Sequence, residues 1–119
     1  MKAKFFIERP TFTGEAQGKQ GMTVYTTAEG ESLLWSGKGF PLPNIGAQVR
    51  ITMNNIGPAE VVGYFQEEGY LGVMTRAANP PQWLKDQRER DRKNPRHADK
   101  PQWWKDGIGC EFGTEIAAL

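Results

Sequence analysis

Hydrophobic and polar residues alternate most clearly between residues 46 and 75, and this pattern predicts three short antiparallel strands. In the first of them Val49, Ile51 and Met53 share one side, and polar residues alternate with them. A period of two is typical of a strand with one buried face. We therefore expect this β-meander, with Ile51 and Val61 in its core, to be the centre of the fold.

Two turns separate the three predicted strands of the meander. The first covers residues 54–58, where asparagine, glycine and proline interrupt the pattern. The second covers residues 67–69, where Gly69 can adopt the positive φ that a tight hairpin needs. The runs 59–65 and 70–75 beside these turns are rich in β-branched and aromatic residues, which favour strands.

Three further strands are predicted before the meander, over residues 2–8, 22–27 and 33–35. In the first of these, Ala3, Phe5 and Ile7 share one face, and Phe6 lies among the polar residues of the other. Residues 11–20 hold two glycines and few large apolar side chains, so they predict a loop. Residues 37–44, with two glycines and two prolines, predict an irregular connection.

These short strands favour a mainly β fold, either a small barrel or a sandwich. The motifs Gly46-x-x-Val49-x-Ile51, Ala59-x-Val61-Val62-Gly63-Tyr64-Phe65 and Tyr70-Leu71-Gly72-Val73 resemble the central meander of SH3-like small barrels. That resemblance covers about thirty residues and implies a fold, with no binding residues. The whole chain is also similar in style to small uncharacterised proteins of bacterial plasmids and integrative elements, which implies a bacterial, cytoplasmic setting.

A repeated motif follows the meander, in a region (76–106) without isoleucine, valine or phenylalanine. PQWLKD at residues 81–86 recurs as PQWWKD at residues 101–106. Asn79 and Asp99 each precede the glutamine by three residues, which predicts a variant of the helix capping box. The first copy therefore predicts a polar helix that continues to about Lys93.

Several details of this C-terminal region follow from the same pattern. Asn94-Pro95 should end the helix, and the second copy should form only about one turn before Gly107. Three ion pairs at i,i+4 are expected, Lys85–Glu89, Asp86–Arg90 and Glu89–Lys93. The helix has no apolar residue beyond Leu84, so we expect it to project into water or lie on a partner. The apolar tail, residues 107–119, could return to cover the sheet.

The tryptophans of the repeat, Trp83, Trp103 and Trp104, have two interpretations. They are either packing anchors for the polar segments or a binding surface on which bases stack. If they are anchors, we expect Trp83 to contribute more to stability than Trp104.

A basic stretch lies between Arg88 and Lys100, and we call residues 88–100 the basic arm. It has six cationic side chains and three acidic ones, for a net charge of +3. The cations are Arg88, Arg90, Arg92, Lys93, Arg96 and Lys100. The arm is either a solvated, self-paired helix or a segment that contacts phosphates.

Catalytic patterns are sparse in the rest of the chain. Cys110 and His97 are its single cysteine and single histidine, too few to form a zinc site. A Cys–His pair would suit nucleophilic chemistry, but a lone cysteine among apolar residues is more often buried packing. One cysteine fits a reducing compartment, and no apolar run suits a signal peptide or a membrane span. We expect a cytoplasmic protein without enzymatic activity, cofactor or membrane partner.

The expected function is non-enzymatic binding, and two kinds of partner fit the pattern. The first is nucleic acid, bound through the basic arm and the neighbouring tryptophans. The alternative is a protein partner, for which the chain would serve as an adaptor or inhibitor, through the tryptophan-anchored segment or an open sheet edge.

Overall fold

In a computed structural model of the chain, residues 4–37, 40–53 and 56–119 are described. Among these residues nine strands form one mixed sheet, and two helices lie between the seventh and eighth strands. The strands are β1 Lys4–Phe6, β2 Phe12–Gln17, β3 Thr23–Thr27, β4 Ser32–Trp35, β5 Gln48–Ile51, β6 Gly57–Glu67, β7 Tyr70–Ala77, β8 Gly109–Phe112 and β9 Ile116–Ala118. The helices are α1 Gln82–Lys93 and α2 Gln102–Lys105. The chain is therefore mainly β with a polar C-terminal helix, as predicted.

The sheet is built around the antiparallel hairpin of β6 and β7. These strands pair from Ala59 opposite Ala77 to Glu67 opposite Tyr70. The outer edge of β6 binds β5 and β1, and the outer edge of β7 binds β8 and, in parallel, β4. Strands β2 and β3 extend the sheet beyond β4, and β9 extends it beyond β5. Because β2 and β9 do not pair with each other in the described chain, the sheet does not close into a barrel.

The hairpin depends on glycine at its turn and at two close contacts. Glu68 and Gly69 form a two-residue turn with φ of 52° and 83°, the left-handed pair that matches strand twist. A side chain at Gly72 would place its Cβ 2.3 Å from the ring of Phe65. At Gly63, beside a register shift in β6, a Cβ would lie 2.9 Å from the carbonyl oxygen of Phe6. These glycines let Phe65 and β1 approach the hairpin backbone closely.

The main core contains Ile51 and Val61, as predicted, at 4% and 0% exposure. It also contains aromatic residues whose polar ends hold the irregular connection in place. Trp35 Nε1 donates a hydrogen bond to the Phe40 carbonyl, and Tyr64 Oη donates to the Pro43 carbonyl at 2.6 Å. Tyr25 Oη accepts a hydrogen bond from the amide of Leu42. Buried aromatic side chains thus satisfy the backbone of a connection that has no ladder of its own.

One N-terminal prediction is wrong, and in β1 the structure shows which face is buried. Residues 11–20 were expected to form a loop, but they contain β2, which pairs with β3. Phe12 packs on Tyr25 and the rest of β2 is exposed, so the strand lacks an alternating pattern. In β1 the residue packed on the main core is Phe6, whereas Phe5 is 42% and Ile7 87% exposed. Phe6 faces inward because it pairs with the buried Tyr64 of β6.

Two further predictions concern residues outside the described ranges and the C-terminal tail. Lys2, Ala3, Asn54 and Asn55 lie outside the described residues, as do Lys38 and Gly39 of the connection. The tail returns to the sheet, where Ile108 and Ile116 are buried in its cores. It also extends the sheet, because β8 pairs with β7 and β9 pairs with β5.

Replacing Gly72 with alanine tests the close contact with Phe65. The added Cβ would overlap the Phe65 ring, so Gly72→Ala should lower the free energy of unfolding by about 1–3 kcal/mol, the usual cost of overpacking. Urea denaturation measures this change. Gly14→Ala is the matched control, since its Cβ would meet its nearest neighbours at 3.8 Å. Equal effects of the two substitutions would contradict the proposed role of this contact.

Candidate functional site

The basic arm and both copies of the repeat lie in one excursion between neighbouring strands. Thr75 of β7 and Gly109 of β8 are paired, so residues 76–108 connect two strands of one antiparallel ladder. The ends of the excursion are fixed by the sheet, while α1 between them has no buried residue. The expected absence of a buried helix face is therefore confirmed for α1.

The repeat encodes the same helix start twice. The carbonyl of Pro81 accepts hydrogen bonds from the amides of Leu84 and Lys85, and Pro101 does the same in the second copy. In each copy the glutamine side chain donates to the aspartate four residues later, at 2.9 Å. The motif therefore has a structural explanation that requires no ligand.

The predicted caps are wrong, because the N-cap positions are occupied by Pro81 and Pro101. Neither helix has a side-chain cap, so Asn79 and Asp99 do not serve this purpose. The predicted stop is confirmed, since α1 ends at Lys93 and Asn94 accepts a hydrogen bond from the amide of Arg96. Of the three expected ion pairs, the described part of the chain contains Glu89–Lys93, at 3.2 Å.

The three tryptophans of the repeat have different surroundings. Trp103 lies 4.9 Å from Phe5, between ring centroids, and packs against a second core of Phe65, Met74 and Ile108. Trp104 contacts His97 edge-on at 4.9 Å, and Trp83 is 44% exposed. Among the described aromatic pairs none joins two of these indoles, so the rings do not form a common stacking platform. Trp103 is therefore the packing anchor. The exposure of Trp83 does not favour the expectation that it contributes more to stability than Trp104.

A cleft of about 210 Å³ lies between α1 and the segment that joins α2 to β8. Leu84 and Trp104 provide apolar parts of its wall. Its charged side chains are Arg88, Asp91, Arg92 and Lys105. Three cations therefore face one carboxylate in this cleft, which leaves a local excess of positive charge.

The opposite side of α1 has no such excess. A shallow surface there is lined by Asp86, Glu89, Arg90 and Lys93, so two carboxylates balance two cations. Positions 88 and 92 lie on one face of a helix, and position 90 is about 200° away from position 88. The positive charge of α1 is thus concentrated on the side of the cleft, and the exposed Arg96 and Lys100 follow in the next segment.

Arg88 is the most enclosed cation of the arm. Gly107, with φ of 81°, leaves room for it, since a Cβ there would lie 3.1 Å from Arg88 Nη1. Burial lowers the pKa of Arg88, and the charge of nearby Glu111 partly offsets this effect. With the described residues Arg88 forms no side-chain hydrogen bond or ion pair. Its guanidinium therefore retains donors for an anion.

Lys105 is a cleft residue that the sequence-based predictions missed. Lys105 lines the cleft, and its Nζ donates a hydrogen bond to the Ala98 carbonyl at 3.1 Å. The repeat contained a signal for it, because Lys105 and Lys85 occupy equivalent positions in the two copies. Lys85 is exposed, however, so the motif alone does not reveal which lysine reaches the cleft.

Two titratable groups, the buried carboxylate of Glu111 and the half-buried thiol of Cys110, lie outside the lining of the cleft. Glu111 is 7% exposed, and its carboxylate accepts a hydrogen bond from Thr75 Oγ1 at 2.5 Å. Burial raises the pKa of Glu111, more than Thr75 and Arg88 lower it. Burial also raises the pKa of the Cys110 thiol to about 12, so the thiol is neutral and a poor nucleophile at neutral pH.

The structure does not join Cys110 and His97. His97 Nδ1 lies 3.0 Å from the Asp91 carbonyl oxygen, and Cys110 lies in β8 opposite Met74. No hydrogen bond links the two side chains in the described part of the chain. Within the same residues, no cluster of three or more histidine, cysteine, aspartate or glutamate side chains is arranged to hold a metal ion. No described helix is both long and apolar enough to cross a membrane.

Comparisons with protein-family models, curated proteins and solved structures find no match to this chain. The functional argument therefore depends on the cleft and the basic arm themselves.

Replacing Trp103 with alanine tests its role as an anchor. Trp103→Ala removes an aromatic ring from the contact between the arm and the second core, so it should lower the free energy of unfolding by about 2 kcal/mol or more. Trp83→Ala is the matched control and should change it by less than about 0.5 kcal/mol. Urea denaturation of both variants measures the difference. A larger effect at Trp83 would overturn this assignment.

The raised pKa of Glu111 predicts a pH dependence of stability. The folded state holds the proton of Glu111 more tightly than the unfolded state, so this residue reduces stability as pH rises above its ordinary pKa of 4.5. In Glu111→Gln this loss should disappear, and stability should decline less between pH 5 and 7 than in the unmodified chain. Urea denaturation at several pH values measures it. Glu60→Gln, at an exposed position of β6, is the control. Parallel pH profiles for the unmodified chain and Glu111→Gln would contradict the prediction.

Proposed function

We propose that this chain is a non-enzymatic module that binds nucleic acid through the basic arm and the adjoining cleft. The observation that carries the proposal is the unequal charge of α1. Its cleft side has two cations, Arg88 and Arg92, and one carboxylate, whereas its opposite side is balanced. Lys105 of α2 adds a third cation to the cleft. A phosphate backbone is the common biological partner for a surface of this charge.

The geometry limits how such a partner would bind. Arg88 and Arg92 face the cleft, Arg96 and Lys100 follow it, and Lys93 is already paired with Glu89. Two or three phosphates would therefore be neutralised, and log K should fall with log salt with a slope of roughly −2 to −3 for duplex DNA. Contacts of this kind position a backbone and do not read bases. Affinity should be modest and nearly independent of sequence.

A protein partner is the second candidate function. The exposure of Trp83 favours it, since tryptophan is enriched in protein interfaces. The outer edge of β2 also has no partner strand in the described part of the chain. In either case we propose that the chain acts in the bacterial cytoplasm and that its scaffold is related to SH3-like small barrels.

Charge reversal at two positions of α1 tests the nucleic-acid proposal. Arg92→Glu should weaken binding of fluorescent single- or double-stranded oligonucleotides at least tenfold, because it inverts a charge on the cleft side. Arg90→Glu is the matched control, an equal charge change on the balanced side of the same helix. Fluorescence anisotropy at low salt measures binding, and thermal melts should remain nearly unchanged because both positions are exposed.

Two results would contradict the proposal. Equal losses in Arg92→Glu and Arg90→Glu would show that binding does not use the cleft side. No binding of DNA or RNA at low salt would favour the protein-partner candidate, which a pull-down after nuclease treatment would then examine.

A further inference from the structure

The strongest feature of the cleft is the excess of cationic residues in its lining. Among the described residues, Arg88, Arg92 and Lys105 form no ion pair, although Asp91 lines the same cleft. Arg88 is the most enclosed cation of the basic arm, and enclosed cations in proteins are usually paired, because desolvation of an unpaired charge is costly. We infer that the cleft is a seat for one phosphomonoester group.

The size of the cleft limits the ligand. A volume of about 210 Å³ corresponds to about seven waters at roughly 30 Å³ each. This is enough to enclose a phosphate group and the first atoms of its ester, and the rest of a larger ligand would lie outside the cleft. The seat therefore suits a phosphate at the end of a larger molecule, which would enter the cleft with that end first.

The charge of the cleft favours a monoester over a diester. The three cations and one carboxylate of the lining leave two positive charges, and nearby Glu111 acts on Arg88 from outside the lining. A phosphomonoester carries about −1.5 to −2 at pH 7 and offers three terminal oxygens, whereas a phosphodiester carries a single negative charge. Arg88, Arg92 and Lys105 would each donate to one or more of these oxygens through charge-assisted hydrogen bonds.

The remaining wall indicates what bears the phosphate. Leu84 and Trp104 line the cleft beside the cations, so an organic group can lie against them. The phosphorylated end of a nucleic-acid strand fits this description, and so does a free nucleotide. The first of these sources rests on the proposed function, whereas the seat itself does not.

The experiment compares the same oligonucleotide with a 5′-phosphate, with a 3′-phosphate and with neither, alongside inorganic phosphate and adenosine monophosphate. Anisotropy measures the oligonucleotides, and amide NMR shifts at residues 107–109 report phosphate in the seat. We expect a terminal phosphate at one end to tighten binding at least tenfold, the effect of one or two charge-assisted hydrogen bonds. Inorganic phosphate should shift the same amides.

The repeat supplies a matched pair of variants. Lys105→Gln should remove the preference for the phosphorylated end, while Lys85→Gln, at the equivalent exposed position of the first copy, should retain it. Arg92→Gln, at an exposed position, provides a second cleft variant that does not depend on the Ala98 contact of Lys105. Thermal melts check that each variant is folded.

Each outcome decides between the two proposals. Equal affinity for phosphorylated and unphosphorylated ends would overturn the seat and leave nucleic-acid binding intact. If inorganic phosphate and adenosine monophosphate bind but no oligonucleotide does, the seat is supported and the proposed function is overturned. No amide shift with millimolar phosphate at low salt would overturn the seat.

Discussion

The ladder between β6 and β7 must be long enough to offer both of its outer edges to other strands. Each edge is divided between two partners, so β1, β4, β5 and β8 all depend on this one pairing. The division works because the hairpin lacks side chains at Gly63 and Gly72, where Phe65 and the backbone of β1 come close. Strands this short do not hold a register alone, and the hairpin fixes it for them.

The sequence allows the hairpin to be predicted because its signals are local. Alternation, turn residues and a glycine with positive φ all lie within one window of the chain. The errors arise where the decisive contact is distant. Phe5 and Phe6 both contact apolar partners, Trp103 and the main core, so composition alone does not show which face is inside. The parallel pairing of β4 with β7 likewise has no local signal.

The candidate site shows the same division between local and distant information. The cations of the basic arm are plain in the sequence, but the side of α1 on which they are unbalanced depends on where the helix lies against β8. Lys85 and Lys105 have almost identical neighbours along the chain. They differ because α2 stops after one turn, and Gly107 then brings the chain back beside Arg88.

The placement of the helices between two paired strands has a consequence for how this chain can vary. Thr75 and Gly109 are held together by the sheet whatever lies between them. The entropy of closing a flexible loop rises slowly with its length, by roughly 0.6 kcal/mol for each doubling. Insertions and deletions at this point would therefore leave the strand register intact, with the loss of the Trp103 contact as the main penalty. The connection between β7 and β8 is thus a point at which other recognition segments could be inserted while the rest of the scaffold stays the same.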